Sequence, residues 1–130
     1  MPRHHVTLSP DENTLIVSVA GLRTNAAAEA SIAEVIALRE SSGVERILFD
    51  TCEAITPRPP EALMARALDC GRRLARSRVA ILACDAEGGY ARLWRKGLVE
   101  TGHEAMVFTD AASADAWLAT RAEAETVYLP

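Results

Sequence analysis

The stretch Val44-Glu45-Arg46-Ile47-Leu48-Phe49-Asp50 decides the fold, together with the run Thr51 to Pro60 that follows it. Its apolar centre, Ile47-Leu48-Phe49, is short, carries a β-branched and an aromatic residue, and leads into turn and proline signals. Those features predict a buried central strand, with Thr51 to Pro60 as a loop. Later units are expected to pack beside this strand.

Working outward toward the N-terminus, Val6-Thr7-Leu8 and Leu15-Ile16-Val17-Ser18-Val19 flank Pro10-Asp11-Glu12-Asn13. Apolar alternation around turn residues predicts an antiparallel hairpin. Thr24 or Asn25 then caps a helix whose residues Ala28, Ile32, Val35 and Ile36 share one face, and Ser41-Ser42-Gly43 ends it.

On the C-terminal side, Pro57, Pro59 and Pro60 disfavour helical geometry at the residues before them, so the next helix starts at about Pro60. It carries Leu63, Ala67, Cys70 and Leu74 at helical spacing. Arg78 to Asp85 is apolar without alternation, as strands covered on both faces are. Glu87-Gly88-Gly89 turns into a helix bearing Tyr90, Leu93, Trp94 and Leu98, which Gly102 closes. Ala105 to Thr109 is the last strand, and Asp110 with Ser113 caps a helix that buries Ala114, Trp117 and Leu118.

Alternation of strands and helices after the hairpin predicts parallel pairing. The expected architecture is therefore one α/β domain over residues 1–130, with a mixed sheet of about five strands and about four helices. Residues 119–130 form its expected C-terminal tail, which Val127-Tyr128-Leu129 suits for docking on a neighbour or a second subunit. An open sheet edge is also compatible with a homodimer.

Composition narrows the function. With 49% hydrophobic and 25% charged residues in 130, the chain has the make-up of a globular domain with a core of its own. A net charge of -4 argues against a general nucleic-acid or anionic-membrane surface, which needs clustered positive charge. Arg72, Arg73, Arg76 and Arg78 remain as a local basic patch. No apolar run approaches the ~20 residues that span a bilayer. The 3 cysteines, Cys52, Cys70 and Cys84, have no Cys-x-x-Cys spacing, so neither a disulfide framework nor a zinc site is indicated and a reducing cytoplasm is the expected setting. No cofactor is expected.

In a parallel sheet, ligands approach the carboxyl ends of the strands. Asp50, Asp85 and Asp110 fall there, either as a hard-cation pocket or, on the favoured reading, as caps of the following turns and helices. Cys84 with Asp85 to Tyr90 has the strand, cysteine, loop and helix order of a rhodanese-like sulfurtransferase. The two acids, Asp85 and Glu87, oppose thiolate formation, so a small buried core cysteine is preferred. Gly88-Gly89 supplies turn geometry, and His103 is expected to be a solvated loop histidine.

The order of elements resembles the bacterial STAS-like proteins, related to anti-sigma factor antagonists. The likeness extends through Ala91 to Leu98, Gly102 to Asp110 and Ala116-Trp117-Leu118. It implies a non-enzymatic domain that binds a protein partner or, alternatively, a small molecule or lipid. It also implies a switch by phosphorylation of a serine at the start of the helix after the central strand. That place holds Thr56-Pro57-Arg58-Pro59-Pro60, without serine: the favoured reading is a rigid proline loop that fixes the crossover, and the alternative, with Thr51 and Thr56 as the loop's hydroxyls, is a phosphate on Thr56 that Arg58 and the helix N-terminus would stabilise. The residues assigned to the binding face are Asp50, Thr51, Thr56, Arg58, Asp85, Gly88, Gly89 and Tyr90.

Overall fold

The structure is a computed structural model that describes residues 2–55, 59–84 and 89–120. In chain order the elements are β1 (Arg3–Leu8), β2 (Thr14–Leu22), α1 (Asn25–Ser42), β3 (Arg46–Ile55), α2 (Pro60–Arg73), β4 (Arg78–Leu82), α3 (Gly89–Glu100), β5 (Glu104–Phe108) and α4 (Ala111–Ala119). The five strands lie in the order β1-β2-β3-β4-β5, so β3 is central as expected. β1 pairs antiparallel with β2, and the remaining pairs are parallel.

This strand order dictates the layers. Every crossover moves one place in the same direction, and crossovers of one hand then put their helices on one face. Accordingly, Ile32 of α1, Ala67 and Cys70 of α2 and Trp94 and Leu98 of α3 share a core with Leu15, Val17, Ile47, Val79 and Ile81 of the strands. α4, which is not a crossover, covers the opposite face, where Ala114 and Leu118 pack on Ala80, Leu48 and Phe108.

Local chemistry sets the helix ends. Thr24 Oγ1 accepts the Ala27 N–H at 3.1 Å. Gly43 terminates α1 at φ 71°, a left-handed conformation that glycine adopts at no steric cost. Pro60 stands in the first turn of α2, where its missing N–H is not needed. α2 and α3 pack so closely that a Cβ added at Gly97 would lie 2.5 Å from the Ala67 Cβ.

The amino ends of β4 and β5 carry a buried polar network. Arg39 donates from Nε to Ser77 Oγ (2.9 Å) and from Nη2 to the Arg76 carbonyl (2.6 Å). The Ser77 N–H donates to His103 Nδ1 at 3.1 Å, so the ring proton sits on Nε2, which donates to the Gly71 carbonyl at 2.8 Å. His103 is thus a buried cross-link between α2 and the β4 and β5 connections, not a solvated loop residue. The basic patch shrinks to the exposed Arg72 and Arg76. Arg78 is buried, pairs with Glu104, donates to the Trp117 carbonyl and stacks 3.7 Å over the Trp117 ring. Arg73 is held by Asp69 and Glu29.

Candidate functional site

The run Thr51 to Pro60 is not a loop from its start, because β3 continues to Ile55. It continues by a bulge: Ser18 pairs with Asp50 and Ala20 with Glu53, leaving Thr51 and Cys52 together opposite Val19. Bulges of this kind redirect side chains and gather beside functional sites. The groups that the bulge takes out of the ladder find partners nearby. Asp50 Oδ1 accepts the Cys52 N–H at 2.9 Å. The buried Thr51 hydroxyl donates to the Leu82 carbonyl at 2.9 Å, fastening β3 to the end of β4.

Cys52 and Cys84 form a disulfide with their Cα atoms 4.8 Å apart. Two expectations and one alternative reading fall with it. The chain does hold a disulfide. Cys84 is exposed, not a core residue. Its sulfur, bonded to Cys52, is not a free nucleophile of the sulfurtransferase type. The register explains the pairing: Asp50 pairs with Leu82, so the cysteine two residues beyond each falls at the same height on neighbouring parallel segments. Cys70 is different. It is a buried core residue as expected, and burial pushes its thiol up to about 12.

The disulfide lies in a broad groove of about 810 Å³, walled by Arg3, His5, Ser18, Asp50 and Glu53 among others. Two residues beyond Ala20 and Glu53 of its wall, Leu22 and Ile55 pair in register, and both point large apolar side chains at solvent, 45% and 62% exposed. The Arg23 N–H donates to the Ile55 carbonyl at 2.8 Å, which carries the pairing one residue further. Arg23 itself is buried, donating to the Arg3 carbonyl at 3.2 Å and to Ser31 Oγ at 2.9 Å.

Beneath the sheet lies a second, smaller space of about 50 Å³, bounded by Val17, Ile32, Phe49, Tyr90 and Trp94. Trp94 is buried with its ring edge-on to Phe49 at 5.5 Å, and its indole Nε1 has no hydrogen-bond partner among the described residues. A buried indole N–H usually finds an acceptor, so this donor, in a wall that also holds Arg23 and Ser31, is left for a ligand to pair.

Of the residues assigned to the binding face, Asp50 and Thr51 sit at the bulge, Gly89 opens α3, and Tyr90 is half-buried against Trp94. Thr56, Arg58, Asp85 and Gly88 lie outside the described residues. Asp110 caps α4: Oδ1 accepts the Ser113 N–H at 2.8 Å, and the bonds from Ser113 hold its carboxyl below the usual range. Among the described residues no group of three or more His, Cys, Asp or Glu could hold a metal ion. No helix among them is long and apolar enough to cross a membrane. Sequence reasoning missed Leu22, Ile55, Arg23 and Cys52, whose roles depend on the register of β2 with β3 and of β3 with β4.

No family model and no curated protein matches the chain. Among solved structures it is similar to an uncharacterised protein of the DUF3478 family with a SpoIIAA-like fold from Shewanella loihica PV-4. The two share 20% sequence identity with a TM-score of 0.56, over 90% of this chain and 93% of that one. At that identity the likeness speaks for the fold alone, and the fold is SpoIIAA-like, the STAS-like α/β architecture that the order of elements implied.

Proposed function

We propose that this chain is a non-catalytic, STAS-like regulatory domain that binds a protein partner at the carboxyl ends of β2 and β3. The observation that carries the reading is the exposed pair Leu22 and Ile55, set side by side two residues beyond Ala20 and Glu53, which line the groove. Two large apolar side chains held in register on solvent-facing backbone suit a contact core. Asp50 and Glu53 on the adjoining wall add negative charge, so the partner that fits is an apolar segment flanked by basic residues. Thr56 follows Ile55 directly in sequence, and phosphorylation there would add a dianion to the segment that carries Ile55 and favour release.

The test uses whatever protein is captured from the source lysate by the unmodified chain. Ile55→Glu with Leu22→Glu should abolish that capture, while Val99→Glu, at an exposed apolar site elsewhere, should leave it intact. Equal capture by all forms would reject the reading.

Trp94 supports a second reading, a small apolar ligand carrying one hydrogen-bond acceptor. The space beneath the sheet is too small for a lipid chain as it stands, at about 50 Å³, so such a ligand would enter only with movement of Tyr90 or α1. Native mass spectrometry of freshly purified protein would reveal a retained ligand, and displacing it should shift the Trp94 fluorescence.

A further inference from the structure

Cys52 and Cys84 stand apart from the features that hold the fold together. Neither belongs to the two core clusters. Strands β3 and β4 are already joined from Arg46 with Arg78 through Asp50 with Leu82, and the Thr51 hydroxyl adds a further bond to the Leu82 carbonyl. The disulfide instead sits beyond the ladder, lining the groove, with Cys84 exposed and Cys52 half-buried in the bulge. Exposed disulfides are those open to attack by a thiolate, whereas buried ones persist as staples.

We propose that Cys52–Cys84 is a thiol–disulfide exchange site, with a dithiol as its reductant and Cys84 as the sulfur attacked. A thiolate of the dithiol bonds to Cys84 Sγ as the Sγ–Sγ bond breaks. Cys52 leaves as a thiolate and takes up the proton that the attacking thiol released. The second thiolate of the reductant then attacks its own sulfur in the mixed disulfide and expels Cys84, which is protonated in turn. Two electrons and two protons pass to the protein, and the reductant ends as a disulfide.

Exchange has a structural consequence. With the bond broken, β3 beyond the bulge is held by the Asp50 contact to the Cys52 N–H, the Thr51 hydroxyl and its pairing to β2, up to the Ile55 carbonyl that accepts Arg23 N–H. Reduction therefore leaves Glu53 to Ile55 held on the β2 side alone and easier to loosen, while Arg46 to Asp50 stays paired on both sides. That this loosening changes partner docking rests on the reading of Leu22 and Ile55 given above; the exchange chemistry does not.

The experiment equilibrates the full chain with dithiothreitol and its oxidised form at a series of ratios, quenches with acid, alkylates and counts labelled cysteines by mass spectrometry. Circular dichroism follows the fold in parallel. Cys52 and Cys84 should convert together between oxidised and doubly labelled forms while the protein stays folded. A pair that resists reduction until denaturant is added would overturn the proposal, as would a pair that remains as free thiols at every ratio. Separately, Cys52→Ser treated with oxidised glutathione should form a mixed disulfide at Cys84 several-fold faster than Cys84→Ser does at Cys52. Equal or reversed rates in folded variants would overturn the assignment of Cys84 as the attacked sulfur. Thiol counting requires no partner, so its failure is distinct from failure of the docking surface.

Discussion

The two ends of the sheet are built to opposite designs. At the amino ends of β4 and β5, Arg39, Ser77, Arg78 and His103 are all buried, and the Arg39, Ser77 and His103 bonds tie α1, α2 and the β4 and β5 connections together. At the carboxyl ends of β2, β3 and β4 there is a bulge, an exposed disulfide, a groove and two solvent-facing apolar side chains. Arg78 Nε lacks a partner among the described residues, but the Arg39, Ser77 and His103 bonds are made, and satisfied buried polar groups rigidify a fold, because any lost partner leaves a desolvated group behind. Irregular backbone and exposed apolar groups do the reverse: they add little to stability and leave surface available. The contrast assigns holding to one end and binding to the other.

Substitutions should therefore divide by end. His103→Ala removes the acceptor of the Ser77 N–H and the donor to the Gly71 carbonyl, both in buried surroundings. A loss of about 3 kcal/mol is expected from two unpaired backbone groups, read as a lower midpoint in urea unfolding with an unchanged slope. A loss under ~0.5 kcal/mol would mean that the amino end does not hold the fold as described. Gly97→Ala acts on the same helical layer by driving a Cβ into Ala67 and its backbone, and should cost about 2 kcal/mol through the forced separation of α2 and α3.

At the other end, Leu22→Glu with Ile55→Glu should change stability by less than ~0.5 kcal/mol, since both side chains already face water. The same pair should remove partner binding, so unfolding and binding respond in opposite order to the amino-end variants.

The smallest effect concerns the thiols. Burial raises the Cys70 thiol from 9.0 to about 12, which favours its neutral form in the folded state. The associated stability is complete below pH 9 and declines as pH rises from there toward 12. Cys70 should accordingly stay unlabelled by iodoacetamide in folded, reduced protein at pH 8, while Cys52 and Cys84 react; labelling of Cys70 at a matching rate would contradict its burial.

Much of the fold was legible. The hairpin, the central strand, the start of α2 at Pro60 and the caps at Thr24 and Asp110 all follow from alternation, proline geometry and side-chain oxygens that act locally. What was not legible depends on partners distant in sequence. Sequence patterning ends β3 at Asp50 because the prolines beyond it signal a loop and only Thr51 and Ile55 of the next five residues favour strands, yet the segment pairs with β2 once a bulge absorbs one residue. His103 reads as a loop residue by its glycine and glutamate neighbours, and only Ser77 and Gly71 make its burial tolerable. Arg78 reads as surface charge until Glu104 and Trp117 are brought against it. The disulfide required the register of β3 with β4, which local patterns do not contain. The candidate site suffered most, since Leu22 and Ile55 matter only as a pair across two strands.

Hydrogen exchange of the complex with the captured partner tests the central claim most directly. Protection should rise at Leu22, Arg23 and Glu53 to Ile55, with Ser77, Arg78 and His103 unchanged from the free protein. Protection confined to β5, α4 or the amino ends of the strands, with Glu53 to Ile55 unaffected, would contradict the assignment of binding to the carboxyl end.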